Sequence, residues 1–356
     1  MDYNTLNMLP PNSDIETNKI LKQLSKTNRL LAELKGFSDT IPNKNILINV
    51  ILINEAKDSS EIENIVTTHD EIYRAMSQYS SGSAAAKEVI SYREALWYGF
   101  DFIKKHEVIT TNMIIDLQSI VEGNDAGIRK LPGTVLKNDM TGEIVYTPPI
   151  GEVVIRELLS NLENYINDDE IIVDPLIKLA VIHYQFESIH PFYDANGRTG
   201  RIINILYLVL KDLIESPILY LSKYINENKL EYYRLLHEVR TKENWEDWII
   251  YILKGIEETS NETLRIVRRI NEEVQLMTDE IKQNLPKLYS KELIDLLFFE
   301  FYTKTIFIQK GLSVSRKTAV TYLNILEKEG ILVSEKIGKE RIYLNKRLFD
   351  IVRYSR

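Results

Sequence analysis

One short polar run between two long apolar stretches constrains this 356-residue chain more than any other feature. Before it comes Asp174-Pro175-Leu176-Ile177-Lys178-Leu179-Ala180-Val181-Ile182-His183-Tyr184-Gln185-Phe186, and after it Ile202-Ile203-Asn204-Ile205-Leu206-Tyr207-Leu208-Val209-Leu210. Both stretches are long and apolar enough to be helices buried in a core. Pro175 suits the first turn of the first helix, with Asp174 as its cap. The run itself is His190-Pro191-Phe192-Tyr193-Asp194-Ala195-Asn196-Gly197-Arg198-Thr199-Gly200-Arg201. Asn196 and Gly197 fall where the second helix begins. The free N–H groups and dipole of a helix N-terminus attract anions, and small residues there let phosphate oxygens approach the backbone.

The residue types agree with an anionic ligand. Arg198 and Arg201 stand three apart and can share a helix face, and arginine suits bidentate contact with phosphate. Asp194 is close enough in sequence to hold a divalent cation at the same phosphates, since Mg²⁺ takes one or two carboxylates plus phosphate oxygens and water. His190 can accept a proton from an attacking hydroxyl. Singly, each has an ordinary role: a His-Pro turn ends a helix, Asp194 caps one, and the arginines face solvent. Together, in this order between two core helices, they form an inventory for handling a polyphosphate.

The run resembles the Fic motif, H-x-F-x-(D/E)-G-N-G-R-x-x-R, which His190, Phe192, Asp194, Asn196, Gly197, Arg198 and Arg201 all match. Ala195 departs from it, standing where the pattern has Gly; a left-handed backbone there would make Ala unfavourable. The resemblance implies a protein adenylyltransferase that moves AMP from ATP to a Ser, Thr or Tyr hydroxyl and releases pyrophosphate. It implies His190 as general base and Asp194 as Mg²⁺ ligand. The backbone around Asn196 and Gly197, helped by the Asn196 side chain, would hold the α-phosphate. Arg198 and Arg201 would hold the outer phosphates, and Phe192 would anchor the loop in the core.

Two further stretches resemble the same family. Ser59-Ser60-Glu61-Ile62-Glu63-Asn64 fits (S/T)-x-x-x-E-(G/N) through Ser59, Glu63 and Asn64. In Fic proteins this marks an inhibitory helix whose Glu pairs with the second motif Arg, here Glu63 with Arg201. In some members the same Glu assists AMP removal. Without the resemblance, the stretch reads as a helix start with Ser59 as cap. Leu131 to Val135 and Gly142 to Pro149 read as the arms of a short hairpin about a turn at Asp139–Gly142. The resemblance makes it a flap that holds the target segment extended, with Val145, Tyr146 and Thr147 on its second arm; the alternative is a surface hairpin of no function. Leu9-Pro10-Pro11, Asn28 to Gly36, Glu88 to Leu96, Pro217 to Ser222, Tyr232 to Leu236 and Trp245 to Trp248 are also similar to the family, in stretches whose role is helix packing.

The last part reads differently. Leu293–Tyr302 and Ser313–Glu329 suggest helices, and Ile331 to Val333 and Arg341 to Leu344 suggest strands about a turn at Gly338. Helices followed by a two-stranded wing resemble a winged helix-turn-helix. From Leu312 to Arg356 there are ten Lys/Arg and five Asp/Glu, a net of +5 against −8 for the whole chain. That local basicity is the footprint expected for nucleic acid, with Arg316, Lys317 and Thr321 on the recognition helix. A protein-interaction or dimerisation module is the other reading, because fold does not fix function.

The expected architecture is mainly α: a Fic-type helical core with a small β-hairpin flap, plus a C-terminal winged helix-turn-helix. The expected divisions are residues 1–105 (N-terminal helical region), 106–258 (catalytic core), 259–290 (helical connector) and 291–356 (winged helix). Zero Cys excludes disulfides and thiolate chemistry, and five His without metal-ligand spacing argue against zinc. No membrane-length apolar run and no signal-like start appear, so the expected compartment is the cytoplasm. The implied partner is a protein substrate, the chain itself or its copy in a homodimer included. Two other functions stay open: a DNA-binding regulator with a silent Fic-like core, and a Fic enzyme transferring phosphate or another nucleotide.

Overall fold

The computed structural model describes residues 6–38, 44–69, 71–72, 75, 83–137, 142, 144–299, 301–337 and 340–353. At the centre are α6 (Pro175–Ile189) and α7 (Asn196–Leu210), the two apolar stretches, buried on nearly every face. Pro175 opens α6, and the Asp174 carboxylate accepts from the Leu176 N–H at 2.8 Å, as the sequence predicts. Around them pack α3 (Ala84–His106), α4 (Thr111–Glu122) and α5 (Glu152–Asn167). Between α4 and α5 lie β1 (Leu136–Lys137) and β2 (Ile144–Tyr146), paired antiparallel. Most of the turn predicted at Asp139–Gly142 lies outside the described residues.

The N-terminal α1 (Asn18–Ser38) lies along α10 (Trp245–Asn284), a 40-residue helix and the longest element described. The second helix, α2 (Lys44–Ile62), packs on α3 and on α8 (Leu221–Glu227), which is followed by α9 (Lys229–Lys242). The helical connector expected over residues 259–290 falls mostly within α10, which begins inside the core at Trp245. Trp248 is its anchor, fully buried with its indole N–H donating to the Ala180 carbonyl at 2.8 Å.

Beyond α10 come α11 (Lys291–Phe299), β3 (Tyr302–Lys304), α12 (Thr305–Gly311), α13 (Arg316–Lys328), β4 (Val333–Ile337), β5 (Glu340–Leu344) and α14 (Lys346–Arg353). The strands form an antiparallel sheet in the order β3-β5-β4. The helix expected to reach Tyr302 stops earlier, because Tyr302 and Thr303 pair with Leu344 and Tyr343 in the sheet. The molecule is mainly helical with small antiparallel sheets. Among the described residues no helix is long and apolar enough to cross a membrane.

Candidate active site

The loop between α6 and α7 is held by its own side chains. His190 ends α6 in the left-handed region at φ 48°, and Ala195 enters α7 at φ 63°. Ala195 therefore sits where only Gly is unstrained, which explains why the motif has Gly at that position. The Asn196 amide spans the turn: Oδ1 accepts from the Phe192 N–H at 2.8 Å and Nδ2 donates to the Phe192 carbonyl at 2.9 Å. Both polar ends of this buried side chain thus bond to the loop and shape the turn, and the amide nitrogen carries a second N–H. Phe192 is fully buried, 6.4 Å from Phe186. No side chain caps α7, which leaves its first amides for an anion.

Arg198 and Arg201, each 3 % exposed, are both engaged by carboxylates. Arg201 donates from Nε to the Ser59 hydroxyl at 2.7 Å and from Nη2 to the Ser59 carbonyl at 2.8 Å and Glu63 Oε1 at 2.9 Å. The sequence-predicted pair of Glu63 with Arg201 is therefore formed. Burial pushes the Glu63 carboxyl up, but the charge and hydrogen bond of Arg201, together with Arg198 and His190, outweigh it and hold it below the usual carboxylate range. Gly197 permits this approach, since a Cβ there would overlap the Glu63 carboxylate.

Ser59 does not cap a helix start; it lies in the last turns of α2. Asn64 is left-handed at φ 63°, its N–H donates to the Glu61 carbonyl at 3.0 Å, and the Ile65 N–H donates to the Ser60 carbonyl at 3.0 Å. These bonds close a Schellman turn. The Asn of the (S/T)-x-x-x-E-(G/N) pattern thus ends the helix, and the turn presents Glu63 to Arg201. One turn before Ser59, the fully buried Glu55 accepts from Tyr92 Oη at 2.8 Å, from the Ser222 N–H at 3.1 Å and from the Ser222 hydroxyl. Burial raises its pKa to about 7 against these hydrogen bonds. Nothing in the local sequence marks Glu55, because its donors come from α3 and α8.

The pKa of His190 is lowered to about 4, by burial first and then by the Arg129 guanidinium, while Glu63 and Asp194 pull it up. The imidazole is therefore neutral and able to accept a proton. Arg129, 1 % exposed, ties this region together. Its Nε donates to the His190 carbonyl at 2.7 Å, its Nη2 to Ile189 at 3.3 Å and to Pro149, and its backbone N–H to Pro191 at 3.0 Å. Arg129 stands in Gly127-Ile128-Arg129, just ahead of the first arm of the predicted hairpin. On β2, Val145 is 44 % exposed and Ile144 60 %. Tyr146 turns inward, its hydroxyl donating to the Ser188 carbonyl at 2.6 Å and its ring 3.3 Å from the Arg240 guanidinium. Ile144, Val145, Tyr146 and Thr147 all line a separate cavity of about 830 Å³, shared with residues 6–9 and 11–13, that holds none of the motif residues.

A cavity of about 350 Å³ opens beside the motif, lined by Glu63, Glu88, Glu122, Asp194, Arg198, Ile65 and Val121. Asp194 has an exposed side chain whose Oδ1 accepts from the Ala195 N–H at 2.6 Å. No group of three or more metal-ligating side chains occurs among the described residues. Of the four carboxylates on this wall Asp194 is the most exposed, and one such group suits a Mg²⁺ that keeps water and takes its other ligands from phosphate.

Residues 21–101 match the Fic/DOC family N-terminal region, residues 108–208 the Fic/DOC family, and residues 274–348 the C-terminal domain described as protein adenylyltransferase SoFic-like. The chain is 31 % identical over 140 residues to protein adenylyltransferase fic-1 of Caenorhabditis briggsae, covering 38 % of this chain and 25 % of that protein. It is 34 % identical over 98 residues to a probable protein adenylyltransferase of Aquifex aeolicus, covering 27 % and 30 %. The match thus spans about a quarter to a third of these curated relatives. Among solved structures, a Fic family protein from Desulfovibrio desulfuricans G20 superposes with a TM-score of 0.59 at 15 % identity, over 94 % of this chain and 98 % of that one. Fic-1 of Caenorhabditis elegans superposes at 0.54 and 22 % identity, over 68 % and 71 %.

Proposed function

Because the chain belongs to the Fic/DOC family, we propose that it is an autoinhibited protein adenylyltransferase, transferring AMP from ATP to Ser, Thr or Tyr hydroxyls of proteins, itself included. The observation that carries the reading is one cavity at the uncapped N-terminus of α7, lined by Arg198 and Asp194, with Arg201 reached through Glu63. In the reaction the target hydroxyl oxygen attacks the α-phosphorus, the bond to the β-phosphate oxygen breaks, and pyrophosphate leaves. His190, whose ring the lowered pKa keeps neutral, takes the hydroxyl proton. The amides of Asn196 and Gly197 receive the α-phosphate, and Arg198 and Arg201 neutralise the outer ones. Asp194 would hold Mg²⁺, which supplies charge neutralisation at the phosphates. The exposed Ile144 and Val145 of β2 offer the edge along which a target segment lies extended. The expected compartment is the cytoplasm, where ATP is supplied.

With Glu63 on Arg201, the γ-phosphate lacks its partner, so the resting protein is held back. Transfer of label from α-labelled ATP with Mg²⁺ tests this in wild type, Glu63→Gly, and Glu63→Gly with His190→Ala. Label rising in the single variant and vanishing in the double supports the reading. Absence of label in all three, with lysate supplied as target, defeats it. A labelled band at the protein's own mass would identify self-modification.

A second role for the C-terminal unit has its own observation. Arg316 and Lys317 are exposed in the first turn of α13, that turn has no acidic residue, and neither makes an ion pair among the described residues. Cations at that end oppose the helix dipole, a cost that a phosphate backbone would relieve. Duplex DNA binding that falls steeply with salt and weakens in Arg316→Ala supports this role; salt-insensitive or absent binding points to a protein partner.

A further inference from the structure

Arg198, like Arg201, is held by carboxylates from other helices. Its Nη1 lies 2.8 Å from Glu88 Oε2, and its Nη2 lies 3.3 Å from Glu122 Oε2 and 3.5 Å from Asp194 Oδ1. Glu88 comes from the first turns of α3 and Glu122 from the end of α4, both packed on α7. Both terminal nitrogens of the guanidinium, the fork that would receive phosphate oxygens, therefore face carboxylate oxygens. The cavity wall that these groups share with Glu63 carries four carboxylates and one guanidinium. An incoming polyphosphate meets like charge on the wall and an arginine already occupied.

We propose that Glu88 and Glu122 form a second inhibitory cap, occupying Arg198 as Glu63 occupies Arg201, so that outer-phosphate binding has to displace carboxylates from both arginines. This rests on the nucleotide reading of the site and adds two residues to its regulation. The side chains of Glu88 and Glu122 are 36 % and 26 % exposed, so each has room to withdraw toward solvent. Charge-assisted contacts are among the stronger hydrogen bonds, and partial exposure screens them. The competition accordingly corresponds to roughly a tenfold change in affinity.

The test is equilibrium binding of ATP and of AMP, with Mg²⁺, to the full chain carrying Glu63→Gly, compared with the same chain also carrying Glu88→Gln and Glu122→Gln. The cap predicts that ATP binds about tenfold more tightly to the triple variant while AMP, which lacks the outer phosphates, is unchanged. The gain should survive raised salt, which would screen a mere change in long-range field. If both carboxylates instead hold Arg198 in its productive pose, ATP binds more weakly to the triple variant, and the cap is overturned. Equal ATP affinity, or an equal gain for AMP, overturns it as well. If ATP binds to neither protein, the nucleotide reading fails and the cap with it. Glu88→Gln alone provides a check on folding: an unchanged melting temperature with tighter ATP binding supports the cap, and unchanged binding at unchanged melting temperature counts against it.

Discussion

Glu63 is the residue on which the proposed regulation turns. It makes one charged contact, to an arginine that Ser59 also holds from two sides. Removing the carboxylate leaves Arg201 positioned and frees Nη2 for a phosphate. A contact of this class is worth about 1.5–3 kcal/mol, so Glu63→Gly should raise AMP transfer by roughly one to two orders of magnitude. Equal label incorporation by wild type and variant would sink the idea. His190 gives a prediction of different kind. Its pKa lies near 4 instead of the ordinary 6.5, so the folded chain binds fewer protons there than the unfolded chain between those values. Stability from this group is lost as pH falls below 6.5, while the ring stays neutral and competent over the same range. An NMR titration of the His190 ring should show its midpoint well below 6.5, and a midpoint at or above that value would contradict the buried setting. At this scale the sequence was readable wherever chemistry is contiguous: His190, Asp194, Arg198 and Arg201 lie within one turn and one helix start. The Asn196 amide shows the opposite. Its two bonds to Phe192 brace the loop, and no residue type or spacing announces them.

An element's ends carry more of this site than its middle does. The helix α2 delivers Glu63 through a Schellman turn at Asn64, and α7 begins at a left-handed Ala195. Arg129 joins the end of α6 to the segment after β2 by donating to the carbonyls of His190, Ile189 and Pro149. Its guanidinium is buried, so Arg129→Met would leave three carbonyls without their donor at nearly the same side-chain volume. Each such loss costs about 1–3 kcal/mol, and the losses overlap because one side chain supplies them all. The expected result is a destabilisation of about 2–4 kcal/mol in chemical unfolding, with AMP transfer reduced even where the protein remains folded. Full activity in a folded variant would mean that His190 needs no such bracing. The helices themselves were legible from apolar runs, and the cap at Asp174 from its Pro175 neighbour. The direction of the Ser59–Asn64 turn was not, because Ser and Glu suit a helix start by local propensity. Burial of Ser59 against Arg201, some 140 positions away, decides that this stretch is an end. The helix α12 was likewise missed, since its seven residues are too short to show a period.

The whole molecule places the proposed inhibitory helix between its catalytic core and its C-terminal unit. Asn49, 3 % exposed on α2, accepts from Arg93 Nη2 of α3 at 2.7 Å and donates to the Phe299 carbonyl of α11 at 3.1 Å. The C-terminal unit is further tied down where Arg347 of α14 meets Glu273 and Glu280 of α10 at 3.2 and 2.8 Å. These contacts join elements far apart in sequence, so no local pattern announced them, whereas the basic character of residues 312–356 and the hairpin of β4 and β5 were visible in composition and alternation. Asn49 lies near the start of α2 and Glu63 just past its end, so a shift of α2 as a unit would reach Arg201. Asn49→Ala removes both bonds and should cost about 1–2 kcal/mol of stability. If α2 moves as a unit, it should also raise basal AMP transfer several-fold, since a loss of about 1 kcal/mol from the docked state shifts its population by roughly fivefold. The decisive comparison is with Glu63→Gly. In that background the inhibitory contact is already gone, so Asn49→Ala should add nothing to the rate. An additive rise would show that Asn49 acts on catalysis by some route other than the docking of α2. No rise in either background would show that the C-terminal unit and the site are uncoupled. Non-additivity would show that Asn49 acts on the rate through the docking of Glu63, which couples the contacts of α2 with α3 and α11 to the active site.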